Sequence, residues 1–245
     1  MYTSSFVARG TCSSGLSTKP QYRSRLRCST VRGRRMCVVN TVIIGMGGIG
    51  TALARTLPAP LIVAGRNPAT LRTLAHELSA YDVPVDVTKE LEVAALAAEI
   101  TARGGAKLVI YAVGDIVTGN LTDLSIAAME RIWGANVLGA QLVLKHLAPT
   151  LTPDARLYFI GAQANLIEFK GFSAYAAAKA GLETLCRVAG KELKRTVTIV
   201  KPPAVNTDFW KRLEQLVPRN AISAERVAAV IVESLAYDAV AELLV

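Results

Sequence analysis

Tyr175 and Lys179 lie four residues apart in FIGAQANLIEFKGFSAYAAAKAG, residues 159 to 181, within an alanine-rich run that favours helix. Residues spaced in this way share a helix face, so a ring and an amine stem can pack together. The same spacing also suits proton transfer. A phenol with a pKa near 10 is a poor acid-base group at neutral pH, and a nearby ammonium favours the phenolate. A second constellation lies upstream. VIIGMGGIGTALARTL, residues 42 to 57, sets Gly45, Gly47 and Gly50 between an apolar β-branched run and a helical pattern. In that context the first glycine allows a turn, the second lets backbone approach a pyrophosphate, and the third lets helix and strand pack closely. About 20 residues on, an NAD site would have an acid for the ribose hydroxyls. This chain reads AGRNP at 64 to 68 instead. Arg66 can pair with a 2′-phosphate, so the reading favours NADP(H) over NAD(H).

Positioning these groups requires an ordered scaffold, and from Val38 onward the chain alternates short β-branched runs with longer helical patterns. Strands are predicted near 39–45, 60–65, 84–87, 107–114, 156–161, 196–201 and 241–245, and helices near 49–57, 68–80, 89–103, 122–148, 173–194 and 223–236. Continuous apolar strands are buried on both faces. The expected fold class is therefore α/β, one doubly wound domain over 38–245, with about seven parallel strands and helices on both faces. Any ligand then sits at the carboxyl ends of the strands.

The net charge of +9 would suggest a nucleic-acid partner, but its distribution argues otherwise. Eight of the 28 bases and none of the 19 acids fall within the first 37 residues, which also hold eleven Ser or Thr. The rest is close to neutral. An Arg-rich, Ser-rich, acid-free segment has the composition of an organelle transit peptide, so residues 1–37 are set apart from the fold. The plastid stroma is the first expectation and the mitochondrial matrix the second; the alternative is a basic arm that stays attached and binds an acidic partner. Three of the four cysteines lie in that segment, leaving Cys186 without a disulfide partner. His76 and His146 are isolated, and no metal site is expected. No apolar run has the length of a membrane span.

With the glycine loop at its start and Tyr-x-x-x-Lys far downstream, the body resembles the short-chain dehydrogenase/reductase family of Rossmann-like folds over essentially all of residues 38–245. The resemblance implies a catalytic Tyr175 and Lys179, with Asn136 in NVLG keeping a water in line behind the lysine. It implies that Asp86 and Val87, ending the third strand, hold the adenine ring, and that Gly114 lies near the cofactor. Ile49 in the glycine loop and Pro202, Val205 and Thr207 in KPPAVNTDF join Gly45, Gly47, Gly50, Arg66 and Lys179 as implied cofactor contacts, Thr207 at the nicotinamide amide. A homo-oligomer formed through the fourth and fifth helices is also implied.

The departures from that pattern lie at the reacting centre. The family's serine in the fifth strand is Ala162, and no Ser or Thr occurs between Thr152 and Ser173. Ser173 is expected to cap a helix. Gln163 is the nearby candidate donor to a substrate oxygen. The family's Asn-Ala-Gly reads AVG at 112–114, which is expected to alter local strand pairing, and its Pro-Gly reads Pro202-Pro203, which is expected to stiffen the loop. Leu166, Phe169, Phe172, Phe209 and Trp210 either flank an apolar pocket or serve as core or subunit interface. The implied activity is hydride transfer between NADP(H) and a small or apolar carbonyl or alcohol. The alternative is a family member that keeps the nucleotide fold as a subunit or scaffold with impaired turnover.

Overall fold

The computed structural model describes residues 29–31, 34–36, 41–213 and 216–245. Most of the segment read as a transit peptide lies outside the described residues; within it, Ser29–Val31 pairs antiparallel with Arg34–Met36.

The main sheet has strands β1 (Thr41–Ile44), β2 (Leu61–Gly65), β3 (Tyr81–Pro84), β4 (Ala106–Tyr111), β5 (Leu151–Ile160), β6 (Val197–Lys201) and β7 (Glu242–Leu244). All neighbours pair in parallel, in the order β7-β6-β5-β4-β1-β2-β3. The crossovers run through α1 (Gly48–Thr56), α2 (Pro68–Leu78), α3 (Glu90–Ala102), α4 (Ile126–Trp133), α5 (Gly139–Leu147), α6 (Ser173–Glu192) and α7 (Ala224–Ser234). This is the Rossmann-like α/β fold expected from the alternating pattern.

The two-residue period of the strands divides the core into two layers. Val42 and Ile44 join Val93, Leu96, Leu144 and Leu182 on the face covered by α3, α5 and α6. Ile43, between them in sequence, joins Leu53, Leu71 and Val227 on the face covered by α1, α2 and α7. The chain leaves β1 toward β2 and β3 and returns at β4 on the other side of β1. The loops after β1 and β4 therefore diverge, which opens a crevice at their carboxyl ends.

Three expectations are corrected by the structure. The third strand is Tyr81–Pro84 rather than 84–87, so Asp86 and Val87 follow it instead of ending it. As an edge strand it is largely exposed, and periodicity there carries little burial signal. After Val85 N–H donates to Gly65 O at 2.9 Å, Asp86 turns the chain, its carboxylate accepting from Thr88 N at 3.0 Å and Thr88 Oγ1 at 2.8 Å. The fourth strand, expected to run to 114, ends at Tyr111; beyond it Ala112 N–H still donates to Ile44 O at 2.8 Å, and the rest of AVG lies outside the ladder. The expected helix at 122–148 begins only at Ile126, where Ser125 caps Ala128 N, and is interrupted by a π-helical turn, Gly134–Leu138, between α4 and α5.

Two side chains hold that turn. Asn136 Nδ2 donates to Ile132 O, one turn back, at 2.9 Å, and Tyr111 Oη donates to Ala135 O at 2.6 Å. Side-chain bonds of this kind compete with the regular backbone ladder, which is one physical origin of a local wide turn. Tyr111 is fully buried in the central strand β4. Tyr111→Phe removes one buried bond and is expected to lower unfolding free energy by about 1–3 kcal/mol, read by urea denaturation. An unchanged midpoint would mean that the π turn does not depend on this contact.

Candidate active site

The first helix begins without a side-chain cap at Gly47, so the donors of its first turn are left for another partner. Each glycine of the loop has its own reason. Gly45 adopts φ +100°, and a Cβ there would meet Val113 N at 2.7 Å. A Cβ on Gly50 would lie 1.9 Å from Gly45 O, so any side chain at that position pushes α1 off β1. A Cβ on Gly47 would meet nothing within 4 Å and faces open space, as a backbone approached by a phosphate requires. Gly48 was not singled out from the sequence, yet a Cβ there would strike Thr207 Cγ2 at 2.4 Å. Its signal was the doubled glycine. It brings the loop after β1 against the segment after β6.

A cleft of about 1280 Å³ opens over this loop. Gly45, Gly47, Ile49, Arg66, Asp86, Val87, Gly114, Gln163, Tyr175, Lys179, Pro202, Val205 and Thr207 all line it. Of the residues proposed from the sequence, Gly50 and Asn136 stand behind its wall. Thr51, Asn67 and Thr70 add polar groups that the sequence reading missed, near the uncapped helix end and Arg66. Asn67 caps α2 by accepting from Ala69 N and Thr70 N. Burial raises the Asp86 carboxyl pKa, but the two bonds from Thr88 together with the charges of Arg66 and Lys89 bring it below its ordinary value. Arg66 is itself exposed.

At the centre of the cleft, three elements converge where Gly114 has no side chain. A Cβ on Gly114 would stand 3.3 Å from Asn136 Oδ1 and 3.5 Å from Lys179 Nζ. Asn136 is fully buried and divides its amide between Asp115 O at 2.8 Å and Ile132 O at 2.9 Å. Its Oδ1 has no hydrogen-bond partner among the described residues. A buried, unpartnered acceptor beside an ammonium suits the bridging water expected there. Lys179 donates to Ile160 O at 2.9 Å and is 6% exposed. Burial lowers its pKa to about 8, against an opposing contribution from Cys186.

Tyr175 lies one turn earlier on α6, 8% exposed, and burial pushes its phenol above the ordinary value. The Lys179 ammonium sits 5.6 Å from its ring centroid. Rings flank it, Phe172 at 6.4 Å and Phe209 at 6.0 Å between centroids. Ala162 and Gln163 line the same part of the cleft. Gln163 Nε2 donates to Lys201 O at 3.3 Å, so one amide hydrogen is engaged by backbone. Ser173 does not cap α6: Phe172 holds the cap position, and Ser173 is the first helical residue. Thr207 Oγ1 accepts from Phe209 N at 3.4 Å.

The groups fit a dinucleotide with a nicotinamide end. An open glycine and an uncapped helix start lie at one side, and a tyrosine, a lysine and a buried unpartnered amide oxygen lie together at the other. Among the described residues no cluster of three or more His, Cys, Asp or Glu could hold a metal, and no helix is long and apolar enough to cross a membrane.

Comparison with known proteins agrees with this geometry. The profile of the short chain dehydrogenase family matches residues 39–217. An uncharacterized oxidoreductase of Staphylococcus aureus is 32% identical over 183 residues, covering 68% of this chain and 78% of the relative. A crystal structure from Thermus thermophilus, assigned to the short-chain oxidoreductases, is 35% identical with a TM-score of 0.75, covering 84% of this chain and 100% of the other. The fold also matches an alcohol dehydrogenase of Thermococcus sibiricus complexed with 5-hydroxy-NADP, at 21% identity and a TM-score of 0.78, covering 84% and 95% of the two chains.

The lowered pKa of Lys179 has a consequence for stability. Below about pH 8 the lysine is charged in both folded and unfolded chains; between there and its ordinary 10.5 only the unfolded chain keeps the proton. Excess protons on the unfolded state make stability rise with pH. The protein should therefore gain stability relative to Lys179→Met as pH goes from 8 to 10.5, read by chemical denaturation. A flat difference would show that the ammonium is not desolvated.

Proposed function

Because the chain belongs to the short-chain dehydrogenase family and is a nicotinamide-dependent oxidoreductase, we propose that it transfers a hydride between NADP(H) and the carbonyl or alcohol carbon of a small molecule. The observation that carries this reading is the convergence of Tyr175, Lys179 and the unpartnered Asn136 Oδ1 beside Gly114, at the wall of the glycine-loop cleft. When bound, the cofactor supplies or accepts the hydride. Gly45, Gly47, Ile49 and the start of α1 would hold its pyrophosphate. Arg66 would meet a 2′-phosphate, Asp86 and Val87 the adenine, and Gly114, Pro202, Val205 and Thr207 the nicotinamide side.

Tyr175 would donate its phenolic proton to the substrate oxygen during reduction. Lys179 assists electrostatically: an ammonium near the ring favours the phenolate that this donation leaves, as does the positive charge of an oxidised nicotinamide. These charges act against the burial that raises the phenol. Asn136 would hold a water through its Oδ1, and that water would return a proton toward Lys179. Ala162 provides no hydroxyl to the substrate oxygen, and Gln163 has one amide hydrogen free of Lys201 O to serve that purpose. Losing one positioned donor typically costs about 10²- to 10³-fold in rate, which leaves room for a slower enzyme.

NADPH consumption by the full chain with a panel of ketones, aldehydes, quinones and acyl thioesters tests this. Tyr175→Phe should lower turnover by about 10²- to 10⁴-fold while retaining NADPH binding. Tight NADPH binding without turnover across the panel would favour a nucleotide-binding subunit instead, the reading that Ala162 supports. Arg66→Ala should weaken NADPH binding by roughly ten- to hundredfold and leave NADH unchanged. Equal loss for both cofactors would remove the preference for NADP(H).

A further inference from the structure

The substrate end of the cleft is built from rings. Phe169, Phe172, Tyr175, Phe209 and Trp210 all line it and form a continuous series of contacts. Centroids are 6.5 Å apart from Phe169 to Phe172, 6.4 Å from Phe172 to Tyr175, 6.0 Å from Tyr175 to Phe209 and 6.4 Å from Phe209 to Trp210. The angles between successive ring planes are 75°, 72°, 55° and 82°, so the series presents ring edges and faces in turn. The tyrosine oxygen that would meet the reacting carbonyl belongs to the middle ring.

Apart from Tyr175, these rings are not core. Phe169 is 58% exposed, and Phe172, Phe209 and Trp210 are partly exposed along the cleft. Trp210 is fixed by Nε1–H donating to Val205 O at 2.8 Å, which sets its plane from the segment after β6. Ala162, Leu166 and Ile167 also line the cleft. Two of the charged groups near this end have partners among the described residues: Lys211 pairs with Asp208 at 2.6 Å, and Lys179 donates to Ile160 O. The lining that surrounds Tyr175 is chiefly aromatic, so a flat apolar substrate meets ring edges and faces.

We propose that the substrate is an uncharged aromatic carbonyl compound whose ring lies among Phe169, Phe172, Phe209 and Trp210, with its carbonyl at Tyr175. This rests on the hydride-transfer reading above. In reduction, the carbonyl carbon gains a C–H bond with the hydride's electron pair. The C=O π pair moves to oxygen, which takes the Tyr175 proton, and the reduced nicotinamide is oxidised by two electrons. Offset and edge-on aromatic contacts favour a phenyl over a cyclohexyl group of the same carbon count, beyond the burial that both share.

The test compares acetophenone with cyclohexyl methyl ketone, in the full chain with NADPH. The expected result is a kcat/KM preference of about tenfold for acetophenone, carried mainly in KM. Phe209→Leu and, separately, Phe169→Leu keep apolar volume and should each shrink it below about threefold; NADPH binding reports that the variants are folded. Equal or better use of the cyclohexyl ketone overturns the proposal, as does a preference unchanged in both variants. If neither ketone is turned over, calorimetry on the Tyr175→Phe protein loaded with NADP⁺ decides. Tighter binding of acetophenone by about tenfold sustains the aromatic site while the hydride-transfer reading falls, and equal binding ends both.

Discussion

A buried ammonium on α6, held by the carbonyl at the end of β5, is the constraint around which the rest of this site is arranged. Lys179 is desolvated, so it must be met by oxygen, and Ile160 O is the acceptor it reaches. That bond sets the position of α6 against the sheet. The position of α6 in turn sets Tyr175, one turn earlier, at the wall of the cleft. Beside the lysine, a Cβ on Gly114 would stand 3.5 Å from Lys179 Nζ and 3.3 Å from Asn136 Oδ1, close enough that the amide would have to shift slightly. The π turn that carries Asn136 answers the same demand from the other side, because it directs an acceptor to the lysine's neighbourhood while its amide is divided between two carbonyls.

The two ends of the cleft are made from different materials. At the glycine loop the surface is backbone: a positive-φ turn, a helix start without a cap, and a glycine open to the cleft. Backbone donors suit an anion and are indifferent to what lies beyond it. At the other end the surface is side chain, chiefly rings from α6 with its preceding loop and from the segment after β6. Gly48 against Thr207 ties the two loop systems together.

The charge distribution agrees with this division. Although the chain is strongly basic overall, the excess sits in its first 37 residues, and the folded part is near neutral. Within the cleft, charges are met locally: Asp86 by Thr88 with Arg66 and Lys89, Lys211 by Asp208.

Much of this was legible from the residues alone. The parallel sheet followed from continuous apolar strands alternating with helical periods, and the glycine loop from its place between a strand and a helix, because both signals are local and repeat at a characteristic period. The pairing of Tyr175 with Lys179 on one face followed from helix geometry. What the sequence could not decide were features set by contact between distant segments. The third strand, at an exposed sheet edge, had too little burial to reveal its bounds, so Asp86 and Val87 fell beyond it. The π turn at Gly134–Leu138 accepts a hydrogen bond from Tyr111, more than 20 residues away, and Gly48 matters because of Thr207. Periodicity determined the fold and the candidate pair; only tertiary packing decided which rings face Tyr175, that Gln163 is engaged by Lys201 O, and that Lys179 is buried, since each depends on which segments the folded sheet brings together.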